Sequence, residues 1–219
     1  MAFPGGKGKT YQHIINLMPP HQIYIEPFLG GASVVKNKKP ALKTIVADMD
    51  QKSIFNLGAE IPNLQTQKTD ALDLLKTHVL CKKTLVYCDP PYVQTTRKKQ
   101  KIYRYEYSNK QHENLLTYLT KQSCMVIMSG YDNQLYNDIL SGWNKSQFQA
   151  QTQAGTRTET VWYNYPAPQK LHDSRYLGNN FRDRQNIKRR QERLRNKIEN
   201  MHATERNILI EWLISNYAA

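Results

Sequence analysis

Thr84-Leu85-Val86-Tyr87-Cys88-Asp89-Pro90-Pro91-Tyr92 is the stretch on which the fold turns. Its first five residues form an apolar run of the length of one buried strand, and two prolines forbid its continuation. A carboxylate just past the carboxyl end of such a strand lies where open α/β sheets gather their ligands. Asp, two rigid prolines and an aromatic ring suit a flat base that carries an exocyclic amine. The Asp side chain and a backbone carbonyl can accept both amine hydrogens, and the Tyr ring can stack on the base.

The flanking sequence predicts an α/β fold. Between residue 21 and about residue 165 short apolar runs alternate with helical stretches. Ile23-Tyr24-Ile25, Thr44-Ile45-Val46-Ala47, Leu85-Val86-Tyr87-Cys88, Met125-Val126-Ile127-Met128 and Thr160-Val161-Trp162-Tyr163 are the expected strands. Residues 32–38, 51–58, 71–80, 109–121 and 133–140 are the expected helices, with Leu115, Leu116 and Leu119 at core spacing. Such alternation builds a mostly parallel sheet with right-handed crossovers. After Tyr165 the composition changes. Pro166-Ala167-Pro168 breaks the last strand, residues 181–200 are rich in Arg and Lys, and residues 205–217 carry Ile208, Leu209, Trp212 and Leu213 on one stripe. Two helices are expected there, the second docked by that stripe.

A formal charge of +13 over 219 residues points to a polyanionic partner. Cys81, Cys88 and Cys124 follow neither a disulfide nor a metal spacing, so a reducing compartment and no metal are expected. The sequence has no stretch of about 18 apolar residues and no secretory leader pattern, so a soluble, cytoplasmic protein that avoids membranes is expected.

Three further motifs accompany the tetrapeptide. Glu26-Pro27-Phe28-Leu29-Gly30-Gly31-Ala32-Ser33 follows the first strand, and an acid before a tight Gly turn lets backbone approach a nucleoside. The full G-x-G-x-x-G fingerprint is absent, which disfavours a nicotinamide or flavin enzyme. Asp48-Met49-Asp50 ends the second strand about 20 residues on, a distance suited to ribose hydroxyls, though Asp48 could equally cap the next helix. Asp70, in Thr69-Asp70-Ala71-Leu72, admits the same two readings. At the N-terminus, Phe3-Pro4-Gly5-Gly6-Lys7-Gly8-Lys9-Thr10 ends like a phosphate loop, but its first Gly is replaced by Phe3 and no strand precedes it.

Asp89-Pro90-Pro91-Tyr92 resembles motif IV of the amino-methyltransferases, in the form of the N6-adenine type. Residues 3–7 resemble motif X, residues 26–31 motif I with Glu26 in place of the usual Asp, Asp48 motif II and Asp70 motif III. Residues 108–116 resemble motif V, Met128-Ser129-Gly130-Tyr131 motif VI, and residues 157–165 the closing hairpin. The ordered set resembles the D12, Dam-like (alpha-class) DNA adenine methyltransferases, in a compact form found in phages and prophages and linked to restriction and modification.

The resemblance implies a Rossmann-like class I methyltransferase fold over residues 1–168, with a basic helical tail over 169–219. It implies S-adenosylmethionine as cofactor, held by Phe3, Pro4, Gly5, Gly6, Lys7, Glu26, Phe28, Gly30, Gly31, Asp48, Asp70 and Asp89. It implies chemistry at Asp89, Pro90, Pro91 and Tyr92 on an adenine flipped out of DNA. Two alternatives stay open: an RNA N6-adenine methyltransferase, and a catalytically silent DNA-binding module. One departure matters. From Glu26 to Asp89 is only 63 residues, about three βα units, and the target-recognition insert that Dam-like enzymes carry between motifs III and IV is missing. Recognition is therefore expected from the segment after the tetrapeptide or from the tail. Arg97, Lys98, Lys99, Lys101 and Arg104 are expected to meet phosphates, the interleaved Tyr103, Tyr105 and Tyr107 could stack on bases, and Arg157 is expected to contribute from the hairpin.

Overall fold

The apolar runs assemble into one sheet whose centre is buried on both faces. The computed structural model describes residues 7–8, 10–55, 57, 61–97, 102–152 and 155–217. Among them, seven strands occur: β1 (Ile23–Glu26), β2 (Lys43–Ala47), β3 (Leu64–Gln67), β4 (Thr84–Cys88), β5 (Met125–Gly130), β6 (Asn144–Thr152) and β7 (Gly155–Tyr163). Their order is β3-β2-β1-β4-β5-β7-β6. β1 to β5 run parallel, while β7 is antiparallel to both β5 and β6. All five residues of β4 are buried, as a central parallel strand covered on both faces requires.

Two strands have no counterpart among the sequence expectations, and they are the two edges of the sheet. β3 (Leu-Gln-Thr-Gln) and β6 (Asn-Lys-Ser-Gln-Phe-Gln-Ala-Gln-Thr) are largely polar. An edge strand is held mainly by backbone hydrogen bonds to one neighbour, so its sequence need not carry an apolar run. β7 is also longer than expected, because its first half pairs with β6 alone.

The helices that accompany these strands are α1 (Tyr11–Ile15), α2 (Ser33–Asn37), α3 (Gln51–Phe55), α4 (Ala71–Lys76), α5 (Asn109–Thr120) and α6 (Gln134–Ile139). The short α1 was not foreseen; it buries Ile14 and Ile15. α5 starts at a capping box in which the Ser108 hydroxyl accepts from the Gln111 N–H and the Gln111 side chain accepts from the Ser108 N–H. Leu115, Leu116 and Leu119 are completely buried, the core face expected of them.

Two compact units are present, Met1–Ser174 and Arg175–Ala219. The second holds α7 (Phe181–Glu199) and α8 (Ala203–Tyr217). At the start of α7 the Asn180 side chain accepts from the Asp183 N–H, and the Asp183 carboxylate accepts from the Asn179 N–H. The stripe expected on α8 is not a buried one. Ile208, Trp212 and Leu213 are exposed, and Ile210, Ile214 and Tyr217 add exposed apolar surface off the stripe. Among the described residues no helix is long and apolar enough to cross a membrane.

Candidate active site

The strand order reverses direction between β1 and β4, and their carboxyl ends part at that point to leave a crevice. Glu26 ends β1 and Asp89 follows β4, so two acids far apart in sequence reach one place. A cavity of about 450 Å³ opens there, within the range of small-molecule sites. Lys7, Glu26, Phe28, Gly30, Gly31, Asp48, Asp70 and Asp89 all line it, as do Pro90, Pro91 and Tyr92. Phe3, Pro4, Gly5 and Gly6 lie outside the described residues.

The cavity floor is shaped by the turn after β1. Gly30 adopts φ +47° and Ala32 φ +57°, a left-handed pair that turns the chain sharply into α2. Asp48 holds this turn in place. One of its oxygens accepts from the Gly30 N–H at 2.8 Å and the other from the Asp50 N–H at 2.7 Å. The carboxylate thereby joins the loops after β1 and β2, and each oxygen keeps a lone pair for a ligand hydroxyl. Asp70 caps α4 by accepting from the Leu72 N–H at 2.8 Å while it lines the cavity, so its two readings hold together. Phe28 and Tyr107 meet edge to face at 5.4 Å and form an aromatic wall.

At the other end lies a buried polar cluster. The Lys7 ammonium donates to both Asp89 oxygens, at 2.8 and 2.9 Å, and to the Tyr92 hydroxyl at 2.6 Å. It also sits 3.1 Å from Glu159 Oε2, which accepts from the Tyr92 hydroxyl at 3.0 Å. Burial works against the charge on Lys7, but the carboxylates of Asp89 and Glu159 outweigh it and hold the ammonium above its ordinary range. The Tyr92 ring is buried and meets Tyr131 edge to face, with ring centres 4.7 Å apart.

Glu159 is the member of this cluster that the sequence expectations omit. Its signal was available: an acid two residues before Val161 in β7 shares a strand face with Val161 and Tyr163, both buried. An acid on such a face needs a buried cation, and Lys7 is that cation.

The segment after the tetrapeptide corrects a second expectation. Arg97 does not face outward toward phosphate. Its side chain is 3% exposed, and the guanidinium grips Glu106 in a two-pronged pair at 3.2 and 2.7 Å. Glu106 also accepts from the N–H groups of Ile102 and Tyr103. Burial acts upward on Glu106, but these bonds hold it down to about 2. Arg97 therefore closes a loop. Tyr107, expected among base-stacking tyrosines, is buried between Phe28 and His112. Tyr103 and Arg104 line the cavity, and Arg104 is 61% exposed with a 3.2 Å bond to Asp50. Arg157 lies in a neighbouring open cleft with Thr95, Thr96, Tyr131 and Thr158. Lys98, Lys99 and Lys101 fall outside the described residues.

Glu26 gives the site a pH signature. Burial pushes its carboxyl up to about 8 and the nearby Asp89 adds to the rise, although a bond from the Tyr24 hydroxyl at 2.8 Å opposes it. An acid whose pKa is higher folded than unfolded stabilises the fold at low pH and loses that contribution as pH rises toward the folded value. The buried His21 and His112 are displaced the other way, to about 3 and about 4, so their effects end by pH 6.5. Lys38, lowered to about 8, acts above that value. Between pH 6.5 and 8 the melting temperature should fall, and Glu26→Gln should flatten that fall in a pH series of thermal melts.

Residues 3–77 match the family model of the D12 class N6 adenine-specific DNA methyltransferases, the family whose motifs the sequence resembles. The matched span contains Glu26, Gly30, Asp48 and Asp70 of the cavity, and Asp89 lies beyond it. No curated protein matches the chain. Among solved structures the chain is similar to an O-methyltransferase of tomaymycin synthesis from Streptomyces achromogenes, solved with S-adenosylmethionine (11% identity, 71% of this chain and 78% of that one, TM-score 0.48). It is similar also to an O-methyltransferase from Bacillus cereus (10%, 73% and 80%, TM-score 0.47) and to an rRNA methylase from Streptococcus thermophilus (12%, 71% and 93%, TM-score 0.44). The mostly parallel seven-stranded sheet, with β7 reversed, is a Rossmann-like α/β arrangement.

Proposed function

We propose that the chain transfers a methyl group from S-adenosylmethionine to the N6 amine of adenine in DNA. Methyl transfer follows from the family match, and the choice of acceptor rests on the tetrapeptide and the cavity beneath it. The observation that carries the proposal is a reversal of charge. In a chain of formal charge +13, the cavity is walled by the acids Asp48, Asp50, Asp70, Asp89 and Glu106 against Lys7 and Arg104, with the buried Glu26 carboxyl beside them. Acidic walls favour a cationic sulfonium and accept hydrogens from ribose hydroxyls and amines, while the basic exterior favours phosphate.

These residues fit S-adenosylmethionine. Asp48 and Asp70 would hold its nucleoside, with Phe28 beside the ring and the Gly30–Gly31 turn below. When bound, the cofactor supplies an activated methyl group. The chain's own part is to position the amine. The Asp89 carboxylate and the Pro90 carbonyl accept the two N6 hydrogens, which turns the nitrogen lone pair toward the methyl group. Positioning and electrostatics then supply the rate. A base within a duplex has to be flipped out to reach Asp89, at a cost of about a few kcal/mol, and Tyr92 stacks on it.

The cluster around Lys7 adds a step. Both Asp89 oxygens hold the ammonium, so the arriving amine displaces it from at least one of them. Glu159 already touches the same ammonium and keeps its charge paired as it moves. Transfer of labelled methyl groups from S-adenosylmethionine to duplex DNA and to RNA, side by side, tests the proposal. Label is expected in the DNA; label in RNA alone would make the chain an RNA enzyme.

A further inference from the structure

We infer that the β6–β7 hairpin reads the base sequence beside the target adenine through a row of glutamine amides, an inference that rests on the function proposed above. β7 pairs with β5 only from Thr160 to Tyr163, whereas its pairing with β6 continues to Gly155. Residues 155–159 and their partners are therefore a two-stranded ribbon that runs on past the rest of the sheet.

The two faces of this ribbon differ. One turns inward: Glu159 joins Lys7 and Tyr92, Ala150 is buried, and Phe148 stacks on His13 at 4.5 Å. The other carries Gln147, Gln149 and Gln151 directly opposite Thr160, Thr158 and Thr156. Each amide nitrogen donates to the facing threonine hydroxyl, at 3.1, 3.0 and 2.9 Å. The three glutamines, Thr156 and Thr158 are exposed. Each fixed amide keeps one N–H and its carbonyl oxygen to present outward.

That row has no charged side chain, in a chain of net charge +13. Phosphate contacts call for Arg and Lys, whereas base edges are read by amides and hydroxyls. A carboxamide offers the donor and acceptor that match the N7 and N6 edge of adenine, and a two-stranded ribbon fits the major groove. The place is also right. Thr158 belongs both to this row and to the cleft that holds Arg157 and Tyr131, and Tyr131 packs on Tyr92. DNA that delivers a base to Asp89 therefore passes beside the ribbon, and Arg157, opposite Ala150 on the ribbon's other face, can meet a phosphate from the same cleft. Between Asp70 and Asp89 only α4 and β4 occur, so no inserted reading domain competes for the task.

The test is methylation of a random-sequence duplex library by the full chain with S-adenosylmethionine, followed by sequencing of the bases around each N6-methyladenine. The wild type should show a context preference of about tenfold at one or more flanking positions, the scale of a single base contact. Gln147→Ala, Gln149→Ala and Gln151→Ala combined should flatten that preference and leave the rate on the poorest contexts unchanged. Gln149→Glu should move the preferred base toward cytosine, a change of identity that mere loosening of the ribbon would not produce. A triple variant with the wild-type context profile, or a wild type without any preference, would overturn the inference. An unchanged profile with altered sedimentation would assign the face to self-association instead. Absence of N6-methyladenine from every wild-type reaction would remove the proposed function itself, and the inference with it.

Discussion

Asp89→Ala should lower methyl transfer to adenine by at least about 10²–10³-fold, the scale of losing one preorganised hydrogen-bonding group at a reacting centre. S-adenosylmethionine affinity, measured by calorimetry, should change by no more than a small factor. The substitution leaves Lys7 paired with Glu159 at 3.1 Å and bonded to the Tyr92 hydroxyl at 2.6 Å, so no buried charge is stranded. The cavity walls that would hold the cofactor are fixed elsewhere, Asp48 by the Gly30 N–H and Asp70 by the Leu72 N–H, and should stand unchanged. A loss of turnover with binding retained therefore reports on the amine alone. Near-normal turnover would mean that Asp89 does not position it.

The second large effect is expected at Glu159, and its informative form is a double-mutant cycle with Lys7. Glu159→Gln keeps the size of the side chain and removes the charge that would receive Lys7. The ammonium should then stay on Asp89, in the place of the amine. We expect kcat/KM for DNA to fall roughly 10- to 100-fold, corresponding to about 1.5–3 kcal/mol for a charge-assisted bond. Lys7→Met added to Glu159→Gln should cause little further loss or a partial recovery, because no ammonium is left to block Asp89. Steady-state kinetics of the four proteins decides the matter. Losses that simply add would show that Lys7 and Glu159 act independently and that no exchange takes place.

The parts of this molecule legible in its sequence are those whose burial is written locally. β1, β2, β4 and β5 lie inside the sheet and read as apolar runs. The acids and glycines that end β1 and β2 converge because topology fixes where parallel strands open. β3 and β6 were illegible because an edge strand can be polar along its length. The same limit applies to charges. A count of Arg and Lys after Tyr92 cannot show that Arg97 turns inward to Glu106, a pairing set by a loop closing over nine positions. Nor can it show that Lys7, at one end of the unit, and Glu159, near the other, meet over Asp89. That meeting depends on β7 being inserted antiparallel beside β5, a long-range feature with no local mark.

The most direct measurement is nucleoside mass spectrometry of duplex DNA after incubation with the protein and S-adenosylmethionine, beside the Asp89→Ala control. N6-methyladenine in the wild-type reaction, and its loss in the control, is the predicted result. Methylated cytosine, or no methylated nucleoside in DNA at all, would contradict it.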